Sequence, residues 1–219
     1  MKKIILSSSI FLASVAGAFA QTAAGNIAIG GTLGVQLNSG KTTTGGTTVD
    51  KGTSSSITIL PNVSYFLSDK LAIGLGIGYG STSSTTSGTP SLKTTNGGFI
   101  VNPFAKYFIS VGEKSSFFFK GGIDMNFGTV KSQRVNSAGT GVEDNDPAKN
   151  TTIGVGVMPG FLFFPADNWG VELALGGNLI GYKTSTSKVG SSYKDTDNTF
   201  ELLGINGMGV GVSVYYFIK

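Results

Sequence analysis

The chain has 219 residues, of which 34 are Gly, 13% are charged and none is Cys or His, with a net charge of +4. Typical domains contain about 7% Gly and about 25% charged residues, so the composition is unusual on both counts. The missing Cys and His exclude a disulfide scaffold, most zinc sites and every catalytic triad with a His base. With 40% hydrophobic and 11% aromatic residues, the chain is not expected to be disordered.

The first 20 residues predict a cleaved signal peptide. Lys2 and Lys3 form a positively charged start, residues 4–15 form an apolar core, and Ala18-Phe19-Ala20 reads as a cleavage site. Cleavage would leave residues 21–219 as one domain and lower the net charge from 16 − 12 = +4 to 14 − 12 = +2. That small charge gives no indication of nucleic-acid binding.

Most of the remaining chain consists of segments in which apolar residues occupy every second position. In Leu71–Gly80 every odd position is large and apolar, and every even position is Ala or Gly. A period of two places the large residues on one face of a β-strand. Eight segments follow this rule, and the last shifts its apolar positions from odd to even numbers. They cover roughly residues 26–37, 56–67, 71–80, 97–109, 115–129, 151–164, 169–182 and 199–218.

The connections between these segments alternate in length. Ser68–Lys70, Ser110–Lys114 and Pro165–Asn168 are short. Four others exceed a dozen residues and are rich in Thr, Ser and Gly, at 38–55, 81–96, 130–150 and 183–198. This segregation predicts an all-β fold, a closed antiparallel eight-stranded transmembrane β-barrel with short periplasmic turns and long extracellular loops.

Aromatic residues on the outward-reading positions cluster at the ends of the segments. Near the short turns or the C-terminus lie Tyr65, Tyr107, Phe117, Phe163, Trp169 and Tyr216. At the opposite ends lie Tyr79, Phe99, Phe127 and Phe200. Aromatic residues favour strands in general, but two belts at the strand ends are typical of the girdles found at lipid headgroups.

Three segments share a repeat that precedes a short turn: Pro61-Asn-Val-Ser-Tyr-Phe66, Pro103-Phe-Ala-Lys-Tyr-Phe108 and Pro159-Gly-Phe-Leu-Phe-Phe164. Proline has no N–H to donate to a strand ladder. We therefore expect a local bulge or irregular pairing at each proline, which could also reverse the side-chain alternation.

The signal peptide, the eight segments, the repeated hairpins and the ending Gly-Val-Gly-Val-Ser-Val-Tyr-Tyr-Phe together resemble the outer-membrane β-barrel domain family of Gram-negative bacteria. Its members are small porin-like barrels, similar in build to the OmpX and OmpW types. The resemblance implies a location in the outer membrane, contact with its lipids and insertion by the barrel-assembly machinery. Members usually end in an aromatic residue, whereas this chain ends Phe217-Ile218-Lys219.

The inward-reading positions are small and polar with scattered charge, and include Asn62, Ser64, Asn102, Asn126, Asn178 and Glu201. Four more would bridge the lumen as a polar cluster, because unpaired buried charges are costly: Lys106, Lys120, Asp124 and Glu172. We favour a structural plug, since eight strands leave room for side chains or one small ligand. A narrow polar path or ligand cavity lined by the same four residues is the alternative.

The sequence predicts no enzyme, cofactor or metal site. Outer-membrane hydrolases usually need a His base, and the remaining carboxylate pair, Asp124 with Glu172, matches no motif. Gly-x-Gly runs at 74–78, 154–156 and 207–211 have strand periodicity with no helix after them, unlike nucleotide sites. The acidic residues Glu143, Asp144 and Asp146 are too few for calcium and are interpreted as a solvated loop.

These observations favour a structural or surface-interaction barrel whose variable chemistry lies in the long loops. Thr42–Thr48, Thr82–Thr89 and Thr184–Ser187 would offer hydroxyl groups on flexible backbone. A narrow porin-like channel or binding barrel for small solutes is the alternative function. A secreted soluble barrel is disfavoured, because its surface would carry too little charge. The sequence names no extracellular partner.

Overall fold

A computed structural model of the chain describes residues 22–44, 47–87, 91–135, 141–143, 147–175, 178–189, 193–203 and 210–219. Within these ranges the chain forms one antiparallel sheet of eleven strands. The predicted signal peptide at 1–20 lies outside the described residues, as do Asp144 and Asp146 of the acidic group. In the part of the chain that the structure describes, no helix is long and apolar enough to span a membrane.

The strands are β1 (Ile27–Thr44), β2 (Thr47–Ser68), β3 (Leu71–Thr85), β4 (Ser91–Gly112), β5 (Ser115–Val135), β6 (Gly141–Glu143), β7 (Ala148–Ala166), β8 (Trp169–Leu175), β9 (Ile180–Val189), β10 (Tyr193–Leu202) and β11 (Val210–Ile218). Because β5 pairs with β7 and β11 pairs with β1, eight strands form a ring, namely β1, β2, β3, β4, β5, β7, β8 and β11. The remaining strands extend that ring. β6 pairs with β5, β9 pairs with the part of β7 that lies beyond its pairing with β8, and β10 pairs with β9.

The ring closes with a stagger of ten residues. When paired residues are followed from strand to strand, Leu33 on β1 leads through β2, β3 and β4 to Phe127 on β5. The residue before Leu33, Thr32, therefore corresponds to position 126 on β5. Pairing from Thr32 the other way, through β11, β8 and β7, leads to Ser116, and 126 − 116 = 10. For eight strands, a ~4.8 Å strand spacing and a ~3.3 Å rise give a tilt of roughly 40° and a radius of about 8 Å. A ring of that radius is filled by side chains.

The hydrophobic core lies inside the ring at the end with the short turns. Those turns consist of residues 69–70, 113–114 and 167–168, shorter than the sequence suggested. The buried apolar side chains are Ala28, Phe66, Ala72, Phe108, Phe118, Leu162, Phe164, Tyr215 and Phe217. The apolar residues of the outward face are exposed instead, as the period of two predicts.

The outward aromatic residues form two belts. At the short-turn end Trp169 packs edge-on against Tyr216 at 5.3 Å, and at the opposite end Tyr79 packs against Phe99 at 5.7 Å. On β5 the belts are ten residues apart, from Phe117 to Phe127. With a rise of ~3.3 Å and the tilt above, that separation is about 25 Å along the barrel axis, the height of a lipid-facing band.

The four polar connections are mostly strand rather than flexible loop, which corrects the sequence-based expectation. β1 and β2 remain paired as far as Thr44 and Thr47, and β3 and β4 remain paired as far as Thr85 and Lys93. Serine and threonine hydroxyls also join neighbouring hairpins: Thr82 Oγ1 on β3 donates to Ser56 Oγ on β2 at 3.0 Å, and Thr152 on β7 is hydrogen-bonded to Ser185 on β9 at 3.1 Å. We call the strand parts of 38–55, 81–96, 130–150 and 183–198 the polar extensions.

The three prolines cause neither a bulge nor a reversal of the side-chain alternation. Pro61 is paired with Gly31 on one side, but on the other side the β2–β3 ladder skips Leu60 and Pro61 and then resumes in the same register. The β4–β5 ladder skips Pro103 in the same way, and the β7–β8 pairing begins only after Pro159. Irregular pairing is therefore confirmed, and it affects only one side of each strand because one N–H is missing.

A reversal of the alternation does occur, but between β8 and β9. Gly160 on β7 pairs with Ala174, whereas Val157, three residues earlier, pairs with Ile180 instead of position 177. The three extra residues make even positions face outward on β9. Leu179, an odd position of the segment 169–182 and so expected on the outward face, lies half-buried at the break.

Candidate functional site in the barrel lumen

The lumen is closed at the short-turn end by a layer of five phenylalanines. This aromatic layer consists of Phe66, Phe108, Phe118, Phe164 and Phe217, none of which is more than 4% exposed. Ring centroids lie 5.5 Å apart for Phe66 and Phe108 and 5.1 Å apart for Phe164 and Phe217. Centroid separations in this range give favourable aromatic packing.

The repeated sequence ending in two aromatic residues has its explanation in this layer. The pairs are Tyr65-Phe66, Tyr107-Phe108, Phe163-Phe164 and, without a preceding proline repeat, Phe117-Phe118 and Tyr216-Phe217. Because neighbouring residues of a strand face opposite sides, the first member is exposed on the outer belt and the second is buried in the aromatic layer. One dipeptide thus supplies both an interfacial anchor and a lumen filler in five strands.

A buried ion pair lies next to the aromatic layer. Lys106 on β4 and Glu172 on β8 are 3% and 5% exposed, and the Lys106 Nζ donates a hydrogen bond to the Glu172 carboxylate across the lumen. The same Nζ donates to the Tyr215 hydroxyl at 3.2 Å and lies 4.6 Å from the centre of that ring. The rings of Phe104 and Phe118 are each 5.2 Å from this ammonium group, so aromatic faces and one carboxylate surround it.

The other two predicted residues belong to a separate group. The Lys120 Nζ donates to the Asn102 Oδ1 at 2.8 Å, and the Asn102 Nδ2 donates to an Asp124 oxygen at 2.7 Å. Lys120 and Asp124 are both on β5, and Asn102, which is 2% exposed on β4, joins them. The Phe104 ring lies close to both lysines, 5.2 Å from the Lys106 Nζ and 4.5 Å from the Lys120 Nζ.

The structure therefore divides the predicted four-residue cluster. Only Lys106 with Glu172 bridges the lumen, whereas Lys120 and Asp124 are linked along one wall. The linking role of Asn102 was missed, although its place among the inward polar residues was predicted, because an amide carries no charge to mark it as a partner. Tyr215 was also missed as a hydrogen-bonding partner.

Farther from the short turns, the lumen opens into a small polar cavity of about 150 Å³. It is lined by Asp124, Thr152, Asn178, Lys183 and Glu201, together with neighbouring backbone. The Asn178 Nδ2 donates to the Glu201 carboxylate at 3.4 Å. Both charge signs are thus present in a space far below the ~300 Å³ of ordinary ligand pockets.

A filled eight-stranded antiparallel ring, with an exposed apolar band between two aromatic belts, defines an outer-membrane β-barrel. The lipid-facing strands and the polar extensions agree with that class. The chain belongs to the outer membrane protein beta-barrel domain family, whose model matches residues 19–217. The protein is accordingly a component of the Gram-negative outer membrane, with its short turns on the periplasmic side and the polar extensions outside.

Several solved barrels are similar to the chain. Neisserial surface protein A is 14% identical over 87% of this chain and 95% of that one, with a TM-score of 0.37. Ail, the attachment invasion locus protein of Yersinia pestis, is 11% identical over 89% and 99%, with a TM-score of 0.37. The N-terminal barrel domain of Pseudomonas aeruginosa OprF is 10% identical over 89% and 98%, with a TM-score of 0.34. No curated protein matches the chain.

Proposed function

We propose that the protein is a closed, non-enzymatic outer-membrane barrel that presents stiff β-hairpins at the cell surface, in a structural or surface-interaction role. The observation that carries this proposal is the filled lumen. The space left among the aromatic layer, Lys106, Glu172 and their neighbours is about 10 Å³. A single water needs roughly 10–15 Å³, so this level has room for at most one water and not for a continuous file of waters.

The buried charges support a structural rather than a catalytic role. Glu172 is occupied by Lys106 and enclosed by side chains, so no substrate reaches its carboxylate. Asp124 accepts a hydrogen bond from Asn102 on the wall and, among the described residues, from no hydroxyl or amine that could act as a nucleophile.

Single-channel recording in planar bilayers tests the closed lumen. The wild-type barrel is expected to give no unitary conductance steps. A Phe66→Ala/Phe217→Ala variant removes two neighbouring rings of the aromatic layer, 6.0 Å apart, and is expected to give them. Steps of equal size from both proteins would contradict the proposal and favour passage of small solutes.

Hairpin shortening tests the surface role. Leu37 and Ser55 face each other in the β1–β2 register, so residues 38–54 can be replaced by a two-residue Asn-Gly turn without changing the barrel. The β3–β4 hairpin can be shortened in the same way between the facing residues Ser83 and Thr95. Removal of both hairpins should impair surface binding or envelope integrity. Wild-type behaviour of the shortened barrel in both assays would eliminate the surface-interaction role.

The cavity of about 150 Å³ favours a second candidate, a barrel that binds a small polar solute from outside. At about 30 Å³ for each water, it would accommodate roughly five waters or one very small molecule. Asp124, Glu201 and Lys183 offer both charge signs, which fits a zwitterion. Calorimetric titration with small zwitterions should then show binding that Asp124→Asn weakens. Equal heats for the wild type and this variant would exclude the candidate.

A further inference from the structure

Three lysines lie side by side on the outer surface of the polar extensions. Lys149 on β7 faces Lys188 on β9, and Lys188 faces Lys194 on β10. Thr129 on β5 faces Lys149, and Lys131 lies two residues beyond it. All four lysine side chains are exposed. We call Lys149, Lys188 and Lys194 the lysine row.

Side-chain hydrogen bonds show which face of the sheet carries the lysine row. The outward Tyr182 donates to Asn198 at 3.1 Å, and Thr184 donates to the same oxygen at 2.9 Å. Thr186 and Thr196 are hydrogen-bonded at 3.3 Å on that face. The next facing pair at the same period is Lys188 with Lys194, so the row continues the lipid-facing surface.

The row is electrostatically unbalanced in the described part of the chain. Like charges that directly face each other across strands, with Cβ atoms about 5 Å apart, destabilise a sheet. Lys41 on β1 shows the usual solution, because Asp50 faces it and forms an ion pair at 3.7 Å. No Asp or Glu faces the lysine row in the described ranges, because Asp195 and Asp197 alternate onto the inner face and Glu143 is paired with Gln133.

An apolar groove lies on the same strands, nearer the membrane centre. It has a volume of about 530 Å³ and is lined on the lipid-facing side by Ile123, Val155, Ile180, Tyr182 and Phe200. Gly121 leaves the groove open, because a Cβ there would meet only Val157, at 3.9 Å. The surface therefore combines a slot for hydrocarbon with a cationic group above it.

The height of the row indicates the kind of lipid. Six residues separate Tyr182 from Lys188 on β9 and Lys194 from Phe200 on β10, which at ~3.3 Å per residue and a tilt of roughly 40° is about 15 Å along the barrel axis. Lys149 lies lower, because it faces Thr129, two residues beyond the belt residue Phe127. A phospholipid headgroup extends only about 5–8 Å above the hydrocarbon. Even when lysine side chains bend back toward the membrane, Lys188 and Lys194 match phosphates on a taller sugar headgroup, and Lys149 matches a phosphate nearer the hydrocarbon.

We infer that the lysine row and the groove together form a binding site for a phosphorylated glycolipid of the outer leaflet. Its acyl chain lies in the groove, and its sugar phosphates neutralise Lys149, Lys188 and Lys194. The site is independent of the lumen and of the hairpin tips, so it stands whether or not the proposed function is correct.

Lipid binding to the purified full barrel in nanodiscs tests the inference. The probe is lipopolysaccharide with a phosphorylated core, titrated into zwitterionic phospholipid and quantified on the protein by mass spectrometry. Each lysine near an anionic surface raises the affinity about fivefold, so K149Q/K188Q/K194Q is expected to weaken glycolipid binding roughly 100-fold. The matched control, K41Q/K70Q/K114Q, removes the same charge elsewhere and should bind like the wild type.

Two further arms separate the parts of the site. Gly121→Leu fills the groove without changing a charge and should also weaken binding. Glycolipid treated with phosphatase should bind the wild type weakly, with an affinity like that of intact glycolipid for the triple variant. If the triple variant did not fold, as judged by heat-modifiable migration on gels, K188Q alone should give about a fivefold loss, and K188R should restore binding. In zwitterionic lipid alone, K188Q should not lower stability.

Three outcomes would overturn the inference. The first is near-wild-type binding by the lysine variants, and the second is an equal loss in the control variant. The third is equally tight binding of phosphatidylglycerol or dephosphorylated glycolipid, which would show attraction to any anionic or any apolar lipid.

Discussion

The buried ion pair predicts an asymmetric response to removal of its two partners. In Lys106→Met, Glu172 stays buried at 5% exposure without its one hydrogen-bonding partner in the described chain. Breaking a buried pair in this way costs about 3–5 kcal/mol. In Glu172→Leu, by contrast, Lys106 keeps the Tyr215 hydroxyl at 3.2 Å and three aromatic faces within 5.2 Å. At about 0.5–2 kcal/mol for each cation–π contact, the loss should fall to about 1–3 kcal/mol.

The double variant completes the cycle. Replacement of both charges by apolar residues of similar size is often neutral or stabilising, so Lys106→Met/Glu172→Leu should lie within about 1 kcal/mol of the wild type or above it. The sum of the two single-variant losses in unfolding free energy should therefore exceed the loss in the double variant by at least about 3 kcal/mol, because the residues are in direct contact.

Reversible urea unfolding in lipid vesicles measures these differences. Trp169 is the sole tryptophan and lies half-exposed on the periplasmic aromatic belt, so its fluorescence reports insertion. A loss in Glu172→Leu equal to that in Lys106→Met would refute the stabilising role of the surrounding rings. Additive single losses would refute the coupling itself.

Three other predictions concern the packing, the membrane band and the polar extensions. Gly160→Ala places a Cβ in the Phe118 ring and should cost about 1–3 kcal/mol by overpacking, whereas Gly211→Ala, whose Cβ would meet its nearest atom at 3.9 Å, should be close to neutral in the same unfolding assay. Ile77→Lys on the lipid face should cost about 2–4 kcal/mol of stability, while Ser83→Lys, six residues farther from the short turns on the same face of β3, should cost little. Equal costs would show that the membrane band is misplaced. Amide hydrogen exchange should be slow at 53–56 and 81–85, because these residues are paired in strands, and exchange at the rate of an open loop would contradict the stiff hairpins.

The period-two alternation was sufficient to predict the barrel, its two aromatic belts and the polar lumen, because each depends on which face of a strand a residue occupies. The polar extensions escaped prediction since Ser and Thr on both faces leave no apolar contrast, although they pair well as β-residues. The shift between β8 and β9 was missed because no alternation marks Gly176-Gly177-Asn178-Leu179. Which side chains meet across the lumen depends on the stagger of the closed ring, and that stagger could not be predicted from the sequence.

The aromatic layer also constrains the order of barrel assembly. Phe217 contacts Phe66 near the start of the chain and Phe164 on β7, and it arrives with the last strand. The β1–β11 pairing that brings it there joins residues as distant as Ile27 and Ile218, and contacts of such long sequence separation form slowly. A chain with its final strand undocked therefore has both an unpaired edge and a gap in the aromatic layer. Closure of the wall and loss of the water path become a single late event, so a partly assembled intermediate cannot be watertight.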